Sequence, residues 1–231
     1  FCGYRFLVNL KFFEAAKILL ILSSIYFYGY FKPGYVPIFI ASILLNYILC
    51  RKIQTVVSEK WRYSLTALGC LINLGILGYF KYTGFFAEVL NGMGCNLPVP
   101  EIILPIGISF YTFQGLSYVV DVYRGECAAE KHFGMYALFV SFFPQLVAGP
   151  IERTTNLLPQ LKREQTFSYS KASYGLKLMA WGFFKKIVVA DTLAVYVNNV
   201  YGNLSSHTGL SLIVASVFFA FQIYCDFSGY S

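Results

Sequence analysis

Near the end of the chain, three residues of different chemistry recur at intervals of four: Gln222, Asp226 and Tyr230. On a helix, that spacing places an amide, a carboxylate and a phenol on one stripe. Residues 208–225, which lead into Asp226, carry no charge. An acid at bilayer depth costs roughly 2.5–3.5 kcal/mol on insertion scales, so such a residue is kept for a task or tightly paired. The stripe is therefore expected to face protein or water. Two further polar sets interrupt apolar sequence. Gly107, Gln114, Ser117 and Asp121 share one helical face, and Gln145, Glu152 and Arg153 bracket Gly149-Pro150. Together with Gln222 and Asp226 these could line a polar cavity reached from the cytoplasm. Gln, Ser and Gly are also ordinary glue between spans, and that is the preferred reading for Gln114 and Ser117. For Asp226 and for Glu152 with Arg153 a functional reading is preferred.

Familiar catalytic patterns fail one by one. His132 is followed four and five positions later by Tyr136 and Ala137, so it has no H-x4-D partner, and His207 lies in NLSSHTG without a nearby acid. Neither Ser228 nor Ser109 sits in a G-x-S-x-G elbow. No phosphate-binding G-x-x-x-x-G-K-[ST] loop occurs. Cys2, Cys50, Cys70, Cys95, Cys127 and Cys225 are scattered without C-x-x-C pairing, which argues against a metal site or a disulfide framework.

The elements that must position these residues belong in a membrane. Hydrophobic residues make up 57% and charged residues 13%, against about 25% charged in a soluble domain. Five stretches approach the ~20 residues needed to cross ~30 Å of hydrocarbon: 18–31, 33–50, 63–80, 102–120 and 208–225. Aromatics reach 19%, and Tyr commonly sits at the membrane interface. Lys and Arg alternate between loops in a way that puts the N-terminus in the cytoplasm, together with 51–62, 121–132 and 150–171. The net charge of +7 then fits topology and anionic lipid contact, and does not point to nucleic acid.

Residues 133–149 conflict with a simple crossing, because their basic flanks would fall on opposite sides. Pro144, Gly149 and Pro150 also interrupt the run, so this segment is expected to enter and return on the cytoplasmic side. For 170–203 two readings stay open. One is a basic amphipathic helix in the interface, with Lys177, Trp181 and Lys185 at intervals of four, followed by a short span. The other is a single long tilted helix.

Four linked blocks resemble the membrane-bound O-acyltransferase family, in its alginate O-acetylation branch related to D-alanyl transfer proteins. They are LPIGISFYTFQ (104–114) with Tyr118 to Gly125; FFPQLVAGPI (142–151) with Arg153 and LPQL (158–161); GFFKK (182–186) with Ala190-Asp191; and QIYCDFSGYS (222–231). Cys225 departs from the pattern, where an aromatic is common. The resemblance implies an all-α integral membrane fold, a multi-span helical bundle with a re-entrant segment. Residues 1–231 would form the N-terminal part of a single membrane domain, and the family's catalytic histidine, in a Trp-His context, would lie beyond Ser231. It also implies a bacterial inner-membrane, multi-pass enzyme that binds no cofactor or metal. A cytoplasmic donor, acetyl-CoA or an acyl-carrier protein, would supply an acyl group for an extracytoplasmic polysaccharide, by way of a partner acetyltransferase. The tunnel or donor-binding candidates are Gln145, Gly149, Pro150, Arg153, Gln222 and Asp226. Gln145, Gln222 and Asp226 would position the histidine or donor, and Arg153 would meet the donor's anionic part. A transporter-like subunit or a non-catalytic scaffold is the competing reading.

Overall fold

The computed structural model describes residues 2–96, 98, 102–146, 149–163 and 167–230. Val147 and Ala148 of the expected re-entrant segment, and Ser231 of the last block, lie outside these. Every regular element among the described residues is helical. The chain forms two compact units, Phe1–Val147 with Ile151–Gln165, and Ala148–Pro150 with Thr166–Ser231.

The first unit begins with α1 (Cys2–Asn9) and α2 (Phe13–Phe31). They are separated at Lys11, a non-glycine residue in the left-handed region (φ 62°). A 3₁₀ turn (Pro33–Tyr35) leads into α3 (Val36–Thr55), and α4 (Glu59–Gly92) follows. Next come α5 (Ile108–Arg124), α6 (Phe133–Ser141), the single turn α7 (Phe143–Leu146) and α8 (Thr154–Lys162). Of the five stretches expected to span, 33–50, 63–80 and 208–225 fall in helices long and apolar enough to cross a membrane: Pro33–Thr55, Glu59–Gly92 and Gly209–Tyr230. The chain is an all-α membrane protein. The 102–120 stretch turns helical only at Ile108, after Pro105 and Gly107, which leaves 17 residues.

Helix α6 has nine residues, about 14 Å at 1.5 Å per residue, under half of the ~30 Å core. It stops at Phe142, and Met135 to Ser141 are all buried. Interrupted backbone at membrane depth is tolerated in such surroundings, inside protein. Aromatic rings, not aliphatic side chains alone, build the core around it. Tyr28 stacks on Phe39 with centroids 4.4 Å apart, Phe39 meets Tyr111 edge-on at 5.0 Å, and Tyr118 stacks on Tyr136 at 4.6 Å.

In the second unit α9 (Tyr169–Phe183) continues through a π-helical stretch (Phe184–Ala190) into α10 (Asp191–Gly202). The two readings of 170–203 therefore resolve to one continuous helix. A short connection leads to α11 (Gly209–Tyr230). Successive contacts run in opposite chain directions, from Tyr201 with Ser216 through Tyr196 with Phe218 to Lys186 with Asp226. The unit is an antiparallel helical hairpin.

Candidate functional site

The widened π turn puts two consecutive lysines against the end of α11. Lys186 Nζ lies 2.8 Å from Asp191 Oδ1 and 2.7 Å from Asp226 Oδ1. It also sits 6.0 Å from the centroid of the Tyr230 ring. Lys185 Nζ donates to Ser228 Oγ at 2.7 Å. Such one-turn π distortions are rare and concentrate at functional sites. The close approach depends on glycine at both helices. A Cβ on Gly182 would stand 2.5 Å from the Gly229 carbonyl oxygen, and one on Gly229 would stand 3.0 Å from the Gly182 oxygen. Small residues admit backbone contact of this kind between membrane helices. Two blocks about 40 positions apart in sequence are thereby locked together. Asp226 is ion-paired, as its cost predicts, by Lys186 from the facing helix. One turn earlier, the buried Gln222 Oε1 accepts no hydrogen bond among the described residues.

Asp226 is held by Lys186 from the facing helix and is therefore suited to fixing position at the end of α11. Lys186 and Asp191 belong to this constellation although neither was singled out as a site residue. Their signal was available: a lysine followed five residues later by an aspartate, in a helix otherwise poor in acids.

In the first unit the other two blocks also meet. Gly107 has φ 68°, and a Cβ there would stand 2.3 Å from the Leu146 carbonyl oxygen. Glycine is required both by backbone conformation and by contact with α7. Gln114 Nε2 donates to the Phe139 carbonyl at 3.1 Å, and Ser117 Oγ to the Gln114 carbonyl at 3.0 Å. Gln114 therefore acts as the interhelical glue expected of it, whereas Ser117 bonds within its own helix. Gln145 sits half-buried in α7, and its backbone N–H donates to the Phe142 carbonyl. Arg153 Nη1 stands 3.7 Å from Glu126 Oε2, and Arg124 is 3.7 Å from the same carboxylate. Glu152 bonds instead to Asn156 Nδ2 at 2.6 Å, so neighbouring Glu152 and Arg153 have separate partners.

Gly149 is buried and Pro150 exposed, and both group with the second unit. Among the tunnel candidates, Gln145 and Arg153 thus belong to the first unit, and Gly149, Pro150, Gln222 and Asp226 to the second. His132 is exposed, and His207 lies half-buried in the connection before α11.

The sequence passed over a reciprocal, fully buried amide pair of the first unit. Asn46 Nδ2 donates to Asn73 Oδ1 at 3.0 Å, and Asn73 Nδ2 returns a bond to Asn46 Oδ1 at 2.7 Å. Both amides are buried, 2% and 1% exposed. They rest against Gly115, where a Cβ would lie 2.8 Å from Asn46 Nδ2.

No family model matches the chain. Individual relatives do. A peptidoglycan O-acetyltransferase of Helicobacter pylori is 34% identical over 93% of this chain and 46% of its own length. A Pseudomonas aeruginosa protein named "probable alginate O-acetylase AlgI" is 35% identical over 93% of this chain and 42% of its own. A teichoic acid D-alanyltransferase of Bacillus subtilis is 24% identical over 58% of this chain and 34% of its own. The chain spans less than half the length of these relatives.

Proposed function

The chain belongs to the membrane-bound O-acyltransferase family, and on that premise we propose that it forms part of an O-acetyltransferase modifying a polysaccharide or peptidoglycan outside the cytoplasm. Acyl transfer to a hydroxyl needs a base for the leaving proton and donors for the charge that develops on the acyl oxygen. We assign neither role to His132 or His207, and the base to a histidine outside residues 1–231. The contribution of this chain is positional. The observation that carries the reading is the Lys186–Asp226 pair, which joins two family blocks where the apolar helix α11 carries its acid.

In this reading Asp226 and Gln222 hold the reacting groups in register, with Gln145, Gly149 and Pro150 beside the donor's path. Arg153 is 72% exposed on its side chain and shares Glu126 with Arg124. That leaves a positive excess to meet the anionic part of a cytoplasmic donor, acetyl-CoA or an acyl-carrier protein. The acyl group would then cross to the acceptor, with a partner acetyltransferase completing the transfer. The protein would sit in a bacterial inner membrane with its N-terminus inside. One feature of the first unit supports that orientation: Lys11 and Lys17 line the same groove as Lys162 and Arg163, as two cytoplasmic segments should.

The test is acetylation of the cell-surface polymer by the full-length protein carrying Asp226→Ala, Lys186→Met or Lys186→Arg. A misplacement of about 1 Å can cost on the order of 100-fold in rate. Asp226→Ala and Lys186→Met should lose activity on that scale while still inserting into the membrane, and Lys186→Arg should recover part of it. Full activity in Asp226→Ala would defeat the assignment.

A further inference from the structure

In the first unit, α1, α2, α6, α7 and α8 enclose a groove of about 970 Å³, near the upper end of the roughly 300–1,000 Å³ typical of ligand pockets. None of the tunnel candidates lines it. Its lining changes character along α2. Lys11, Glu14 and Lys17 come first, and Leu19, Leu20 and Ser23 follow. From Phe13 to Ser23 a helix advances about 15 Å, so the groove has a charged end and an apolar length. Phe142, Phe143 and Leu161 extend the apolar part, and Lys162 and Arg163 bring further charge from the end of α8.

The lining holds four cations and one carboxylate. Glu14 is taken by Lys17 at 2.8 Å, and Lys162 pairs with Glu130. Among the described residues no carboxylate stands within 4 Å of Lys11 or Arg163. Among the described residues Lys11 is also the non-glycine residue at positive φ, a strained backbone conformation placed at the mouth of this groove. The first N–H groups of α2 have no side-chain cap, and so add donors at the same end.

We infer that this groove binds one anionic phospholipid, its phosphate between Lys11 and Arg163 and an acyl chain along α2 toward Ser23. Charge complementarity at one end and an apolar channel beyond it match that amphiphile. Basic pockets between membrane helices bind anionic headgroups in this way.

The experiment is native mass spectrometry of the full-length protein in detergent, titrated with dioleoyl phosphatidylglycerol or dioleoyl phosphatidylcholine. One phosphatidylglycerol should bind at least tenfold more tightly than phosphatidylcholine. Lys11→Gln with Arg163→Gln should remove that preference by about tenfold or more. Lys11→Arg with Arg163→Lys should keep it, as should Lys52→Gln with Lys60→Gln, which removes two charges elsewhere. Leu20→Trp, which fills the channel and spares the charges, should weaken binding of both lipids. Equal binding of the two lipids, or an unchanged preference in Lys11→Gln with Arg163→Gln, overturns the inference. Displacement by glycerol phosphate alone would show a phosphate site without a lipid channel. Displacement by coenzyme A would give the groove to the acyl donor. Either result overturns it.

Discussion

The two units hold their polar groups in different ways. In Phe1–Val147 with Ile151–Gln165 the side-chain bonds joining α3 to α4 and α5 to α6 are neutral: the Asn46–Asn73 amide pair and Gln114 on the Phe139 carbonyl. Among the described residues its buried carboxylates are Asp121 in α5 and Glu130 in the loop before α6, the latter paired with Lys162. In the second unit the corresponding contact is a charge cluster, Lys186 with Asp191 and Asp226. Neutral amides in apolar surroundings find partners cheaply and are worth about 1 kcal/mol as glue. Ionised groups carry a larger desolvation cost, and the cluster of the second unit meets it at partial exposure, with side chains 30% to 53% exposed. Ion pairs left this open add little cohesion, so the cluster points to a site. Surroundings differ as well. The first unit closes over stacked aromatics, whereas Leu210, Ile213, Phe221 and Phe227 of α11 are all more than half exposed.

Both units rest on glycines, and these give the largest expected effects. Gly107→Ala in the full-length protein should destabilise the first unit by at least ~2 kcal/mol, since the left-handed backbone alone costs roughly 1–2 kcal/mol and the contact with Leu146 adds to it. Gly182→Ala meets only the steric problem, because its helix needs no positive φ, and should cost less. Thermal unfolding in detergent ranks the two, and a larger shift for Gly182→Ala would invert the comparison. Gly182→Ala should nevertheless reduce activity more than stability, because it moves Lys186 away from Asp226.

Next in size comes Asn46→Leu, which leaves Asn73 Oδ1 without its donor while Nδ2 keeps the Gly69 carbonyl, at a cost of about 1–2 kcal/mol. Asn46→Leu with Asn73→Leu should be less destabilising than the sum of the two single changes. Additive losses in that cycle would mean the amides stabilise the helices separately and not as a pair.

The smallest effect is a pH dependence in the loop before α6. Burial pushes the Glu130 carboxyl up, but Lys162 and the backbone N–H groups of His132 and Lys131 outweigh this and hold it below the usual carboxylate range. A depressed value means stability is fully present above the unfolded carboxyl's range and is lost as pH falls through the folded one. Melting temperature should therefore drop between about pH 5 and pH 3, and Glu130→Gln should flatten that drop. An equal drop in the variant would assign the acid sensitivity to other carboxylates.

Much of the fold was legible because apolar runs and their breakers act locally. The stretches 33–50, 63–80 and 208–225 became long helices, and Pro105-Ile-Gly107 delayed the start of α5. The cost of Asp226 in an apolar run correctly demanded a partner. Its identity was not legible, because Lys186 lies on a different helix and reaches Asp226 only through the Gly182–Gly229 approach. Asn46 and Asn73 were hidden by counting charges, since an uncharged amide leaves an apolar run looking unbroken. The tyrosines misled in the other direction. Interfacial placement is common for Tyr, yet Tyr28, Tyr111, Tyr118 and Tyr136 are core residues, placed by ring stacking that no local pattern announces.

The π stretch Phe184–Ala190 carries a consequence for how this segment can change over generations. An α-helix turns 100° per residue, so deleting one residue of 187–190 would let the regular helix resume and swing the two lysines around the axis relative to α11. Such a variant would retain every side chain of the cluster and still lose the contact. The segment should therefore tolerate exchanges at its outward positions but reject a single-codon deletion, and its length would be inherited more strictly than its spelling.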